Sequence, residues 1–236
     1  MKKLPPVPHY FIASAMMLFI SLNAISNPVT PYQGEKREPG SFKSLDLMGA
    51  FVVTLIQSSE ESVVIESKPE IAAQIKTKVD GGTLKIYTEK GFKTDEKIAL
   101  TVNFKNLEDI ECSGAIVLNA TAPLKFENLS LDLSGACKMN FELSASSLDV
   151  DISGAGNSTL NGKASKVNLD ISGAGKFMAS SLLADDYDID ISGTGNAEVH
   201  ATKSLSVEVS GTGVVKYKGD PVIKKEISGT GNVTRL

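Results

Sequence analysis

From residue 108 onward, apolar and polar residues alternate in short runs, and each run ends in Ser-Gly. Seven such pairs start at Ser113, Ser134, Ser153, Ser172, Ser192, Ser210 and Ser228, spaced by 21, 19, 19, 20, 18 and 18 residues. Counting back from each serine, position −1 is Cys112, Leu133, Ile152, Ile171, Ile191, Val209 and Ile227. Position −3 is Ile110, Leu131, Val150, Leu169, Ile189, Val207 and then Lys225. From the second copy on, position −5 is Leu129, Leu148, Val167, Tyr187, Leu205 and Ile223. A period of two residues marks half-buried strands rather than helices. One strand per 18–21 residues, always in one phase, predicts parallel strands stacked ~4.8 Å apart, one per coil of a β-solenoid. Apolar residues return at +5 and +7, as in Met139 and Phe141 or Val215 and Tyr217, and predict a second, less regular face. The fold class is therefore all-β, a parallel β-helix over residues 108–236.

The glycines supply the expected corners. Gly114, Gly135, Gly154, Gly173, Gly193, Gly211 and Gly229 follow the serines, and five of the seven copies carry a further Gly at +3. Positive φ at these sites would turn the chain tightly, which glycine permits without steric cost. The stretch Asn161-Gly162-Lys163, by contrast, reads as loop. Lys225, in an inward slot of the final copy, reads as a charge that discourages end-to-end stacking, or alternatively as a docking contact.

Residues 41–107 also read as strands, with Asp80-Gly81-Gly82 as a turn and Leu47-Met48-Gly49-Ala50 as a degenerate first corner. Glu70 to Lys78 fits a short helix or a strand equally well. This segment is expected to continue into the solenoid and seal one end of its core. Residues 1–26 have the layout of a secretory signal peptide: Lys2 and Lys3, an apolar stretch from Phe11, and small residues in Ala24-Ile25-Ser26. The apolar stretch is shorter than the ~20 residues that span a bilayer, so no transmembrane segment is expected after cleavage. Residues 27–40 hold three prolines and two glycines and read as a flexible lead-in. Export to the periplasm, the outer surface or the medium is the expected location.

Composition narrows the chemistry. With 42% hydrophobic and 22% charged residues the chain is globular rather than disordered. A net charge of −4, with no basic run after residue 40, argues against nucleic acid as a partner. Histidine occurs only as His9 and His200, and arginine only as Arg37 and Arg235. Those scarcities leave a Ser–His nucleophile dependent on a lone His200 and leave no arginine in the repeats for an arginine-based lyase. A carboxylate-pair glycosidase lacks two acids of clearly different environment in so regular a ladder. No enzyme is expected. The calcium-binding nonapeptide fails too, because its aspartate slot holds Ser158, Phe177, Ala197, Val215 and Val233. Cys112 and Cys137 fall on neighbouring coils at −1 and +3. That offset places their Cα atoms beyond the ~7 Å limit for a disulfide unless the corner folds them together, so two separate packing residues are the favoured reading.

The combination FKSLDLMGAFVVTLIQ, VVIES, DGGTLKIYT and the SGAG/SGTG repeats resembles the putative auto-transporter adhesin, head GIN domain family. The resemblance implies a secreted or periplasmic protein with a right-handed β-helix-like fold, in a bacterial envelope family without an established biochemical function. The repeats run to Leu236, so a translocating barrel is not expected in this sequence.

One feature points outward. Position −2 is acidic in every copy: Glu111, Asp132, Asp151, Asp170, Asp190, Glu208 and Glu226, with Asp109, Asp149 and Asp188 at −4. These side chains face away from the apolar series and stack one per coil. Such a strip is a screened surface that deters aggregation, or a weak site for calcium or a basic ligand. No other cofactor is expected. The function expected is a structural or adhesive module that presents a rigid face to an envelope or surface ligand, glycan or protein. A periplasmic carbohydrate- or cation-binding module is the alternative.

Overall fold

Alternating strands can hide their apolar side chains only if many of them line up with one face turned inward. The computed structural model describes residues 34–236, and the chain in it does this throughout. The signal-peptide expectation for residues 1–26 lies outside the described residues, as does the first half of the lead-in.

The lead-in is ordered where it is described. Strand β1 (Glu35–Arg37) pairs antiparallel with β4 (Ser62–Glu66), which corrects the reading of residues 27–40 as flexible throughout. Arg37 explains the anchoring: its guanidinium donates to the carbonyls of Ala72 at 2.9 Å and Ile75 at 2.6 Å. Between β1 and β4, β2 (Ser44–Met48) and β3 (Ala50–Gln57) flank Gly49 and form a coil of the same kind as the repeats. The ambiguous stretch holds both elements. Helix α1 (Pro69–Ala72) starts on the proline, where a missing N–H is harmless, and β5 (Ile75–Asp80) follows. A two-residue turn, with Gly81 at φ 58 and Gly82 at φ 83, then joins β5 to the antiparallel β6 (Thr83–Thr88).

Spatial order departs from chain order at this end. β6 and β7 (Ile98–Phe104) stack in parallel on one side of β2 and β3, while β8 (Asp109–Cys112) and β9 (Ala115–Ala120) stack on the other. The first coil in sequence is thus the second in space. Antiparallel β1, β4 and β5 lie beyond it, and Ile71 and Ala72 of α1 join the buried core there.

From β8 onward the coils follow in order. β10 (Leu124–Lys125), β11 (Asn128–Leu133), β12 (Ala136–Ile152), β13 (Asn157–Ile171), β14 (Ala174–Ile191), β15 (Thr194–Val209), β16 (Thr212–Lys218), β17 (Val222–Ile227) and β18 (Thr230–Arg235) are all paired in parallel. The −1, −3 and −5 side chains are buried from Ile110 through Val209. In the last copy Ile223 and Ile227 are 38% and 40% exposed, because no described coil stacks on that side.

The corner glycines have a different cause from the one expected. None of the seven at +1 has a positive φ, so that reading is corrected. The N–H of the +2 residue instead donates to the glycine carbonyl of the preceding corner, for example Ala174 to Gly154 and Thr194 to Gly173, both at 2.9 Å. This draws the coils so close that a Cβ on Gly173 would lie 2.3 Å from the Gly154 carbonyl oxygen. Within the repeats positive φ occurs instead at the far bend, at Gly162 (109°) and Gly219 (95°), and the stretch Asn161-Gly162-Lys163, expected as loop, lies within β13.

Gly173→Ala should therefore cost roughly 1–3 kcal/mol, the range for overpacking, despite its ordinary backbone. Gly40→Ala, at φ +94 with open space around it, should cost about 1–2 kcal/mol from strain alone. Ile171→Asp should leave the chain unfolded, since it removes about 1.5–3 kcal/mol of burial and adds an unpaired internal charge. Denaturant midpoints test all three, and a Gly173→Ala chain as stable as the parent would sink the close-approach account.

Candidate functional site

Parallel register converts the −2 series into a continuous column. Glu111 lies opposite Asp132, then Asp151, Asp170, Asp190, Glu208 and Glu226 in turn. The column extends one residue further than the sequence reading took it: Asp46 on β2 lies opposite Glu111, and Lys85 on β6 lies opposite Asp46. Asp46 was legible in principle, since it sits two residues before Met48, the serine slot of the degenerate corner.

A second column runs beside it. Position −4 reads Asp109, Ser130, Asp149, Asn168, Asp188, Ser206 and Lys224, so acids alternate with neutral residues until the lysine of the last copy. The amide of Asn168 donates to the Asp149 carboxylate between them. A groove of about 490 Å³ follows both columns from Ser130 to Glu208.

The charges in the −2 column are poorly compensated. Adjacent unit charges ~4.8 Å apart repel by roughly 0.9 kcal/mol in water, and by more near a protein surface. Elsewhere on the molecule acids find lysines, as in Asp185 with Lys203 at 2.9 Å and Glu198 with Lys216 at 3.3 Å. Among the described residues the column has one such pair, Glu226 with Lys224 at 3.1 Å. Asp46 is 9% exposed, and its Oδ1 is buried without a hydrogen-bond partner, as is Oδ1 of Asp132. Burial raises the carboxyl pKa of Asp46 above the usual aspartate value, against the pull of Lys85. Burial first and neighbouring carboxylates second raise those of Asp109, Glu111, Asp151, Asp170 and Asp190.

Two limits on the chemistry follow. Among the described residues no three carboxylate, imidazole or thiol groups converge as a ready cage for one metal ion, so the face is a distributed strip. His200 is half-buried on β15, opposite Leu183 and Lys218, and no hydroxyl or carboxylate hydrogen-bonds its ring among the described residues. The seven corner glycines lie beside the acidic face and set its spacing, but present no functional groups to it.

A family model described as putative auto-transporter adhesin, head GIN domain, matches residues 41–221. The chain belongs to that family. Solved structures agree with the head GIN domain fold. A putative adhesin from Bacteroides fragilis NCTC 9343 superposes with a TM-score of 0.82 at 25% identity, over 86% of this chain and 96% of that one. A putative adhesin from Parabacteroides distasonis ATCC 8503 gives 0.65 at 25% identity, over 86% and 96%. A putative lipid binding protein from the same strain gives 0.63 at 23% identity over the same shares, and bears on the fold alone. No curated protein matches the chain. Among the described residues of this head GIN domain, no helix is long and apolar enough to cross a membrane.

The strip makes stability depend on pH in an unusual direction. Carboxyls whose folded pKa lies above the unfolded value bind more protons when folded, so stability falls as pH rises through that window. The melting temperature at low salt should therefore be higher near pH ~5 than near pH ~7.5, above the range where ordinary carboxylates protonate. Below that range Glu61 and Asp185, whose pKa values are lowered, should reverse the gain. Asp151→Asn with Asp170→Asn should shrink the difference between the two pH values, which circular dichroism melts can measure.

Proposed function

We propose that this head GIN domain protein is a non-catalytic, exported, adhesin-like module whose binding face is the acidic groove, and that the groove collects divalent cations along its length. The observation that carries the proposal is the contrast between the two columns. At −4 neutral Ser130, Asn168 and Ser206 interrupt the acids and so separate their charges. At −2 no neutral residue breaks the series from Asp46 to Glu226, and among the described residues lysines stand only at its two ends, Lys85 opposite Asp46 and Lys224 paired with Glu226. An uninterrupted line of carboxylates spaced by one coil suits hard cations, which take several oxygen ligands in flexible geometry. Adjacent aspartates can share an ion by small side-chain rotations, without a closed cage.

Support for the adhesin-like part comes from the family and from the names of its solved neighbours, and support for export from the signal-like layout of residues 1–26. A lone half-buried histidine and a repeat face without arginine favour binding over catalysis.

Millimolar calcium should raise the melting temperature well beyond sodium at matched ionic strength. Asp151→Asn with Asp170→Asn should remove most of that increment, while Asp185→Asn, outside the groove, should leave it intact. Equal shifts with the two salts would reduce the strip to simple screening and overturn the cation reading.

A further inference from the structure

Cys112 and Cys137 are both buried, at 0% and 2% exposed, and both are free thiols. Their relation follows from how a coil packs at its corner. In the regular repeats the +3 glycine faces the −1 side chains of its own coil and of the preceding one. A Cβ on Gly175 would lie 3.0 Å from Cγ2 of both Ile171 and Ile152, and one on Gly195 would lie 3.0 Å from Ile191 and 3.1 Å from Ile171. The corner thus turns −1 and +3 toward each other across the interior, although they are far apart along the path. In the second copy the +3 slot holds Cys137, and the −1 residue of the preceding coil is Cys112. Cys112 is the smallest −1 side chain of the series, which leaves space for a side chain at +3 in the next coil.

The contacts agree. The Cys137 thiol donates to the Cys112 carbonyl at 3.2 Å, an oxygen that also accepts from the N–H groups of Ser134 and Gly135, each at 3.1 Å. The neighbouring Cys137 side chain, with burial, pushes the Cys112 thiol far above the ordinary cysteine range. This inward turn is the exception that the sequence offset left open, a corner that folds the two positions together.

We propose that Cys112 and Cys137 are a disulfide site, which ties the first repeat coil to the second when the chain folds in the presence of a disulfide-class oxidant. The two S–H bonds break and one S–S bond forms. A thiolate attacks the oxidant's disulfide and expels one thiol, and the second cysteine then attacks the mixed disulfide and expels the other. The oxidant thereby takes up the two electrons and two protons as two thiols. Because both sulfurs are buried once the coils close, the exchange takes place during folding, before the two coils shut around it.

The test uses the full chain, unfolded and reduced, then refolded in a mixture of oxidised and reduced glutathione. It is independent of compartment and of the acidic groove, so its failure would leave the cation reading standing. After refolding, denatured protein should carry no alkylatable thiol and should have lost the mass of two hydrogen atoms. Peptide mapping should recover the Cys112 and Cys137 segments linked, and the oxidised chain should show a higher denaturation midpoint than the reduced one. Two alkylatable thiols, a stable glutathione adduct or a linked dimer in the natively folded wild-type product would overturn the proposal. So would an oxidised chain less stable than the reduced one. Cys137→Ala should keep one alkylatable thiol under the same conditions, and the wild-type mapping decides the matter even if that variant folds poorly.

Discussion

The structure depends on the hydrogen bond by which each corner holds the one before it. The N–H at +2 reaches the glycine carbonyl of the preceding coil at 2.8–3.0 Å in every repeat, from Ala115 on Gly49 to Thr230 on Gly211. That oxygen occupies the space a Cβ at +1 would need, 1.9–2.3 Å away. The ladder that pulls the coils together is therefore also what excludes every residue but glycine. Ala and Thr follow at +2 because that position only donates its N–H and faces out. A local conformational demand plays no part at these sites.

Once the corners are in register, everything else on the coils is in register too. The apolar residues at −1, −3 and −5 become three buried columns, which close the core without a large aromatic complement. The same translation lines up the acids at −2, where it works against stability. A helix can place like charges on different faces, but a parallel sheet with one repeat per coil cannot. Repulsion along the face is thus a direct consequence of the packing that stabilises the interior. The neutral residues at alternate −4 positions relieve it on one column only. The poorly compensated face and the well-packed core have a single origin.

The two ends of the stack are treated differently. At the N-terminal end antiparallel strands and a short helix lie over the outermost parallel coil, and Arg37 bonds to carbonyls of that cap. At the other end of the described stack β17 carries exposed Val222, Ile223 and Ile227, with Lys225 in the inward row.

Coil length, the inward series and the outward acids were all legible in the sequence, because each rests on a period-2 alternation repeated at fixed intervals. The turn at Gly81-Gly82 and the degenerate corner at Gly49 were legible for the same local reason. The tertiary structure alone decided which groups approach each other across coils. The sequence pattern cannot reveal that the corner glycines answer to a neighbouring carbonyl rather than to their own φ. Nor can it reveal that residues 83–104 stack outside residues 44–57, since chain order does not dictate spatial order. The near-complete burial of Asp46 and the meeting of Cys112 with Cys137 belong to the same class. Distance along the chain measures none of these contacts, because the interior of a coil joins positions that its backbone path keeps apart.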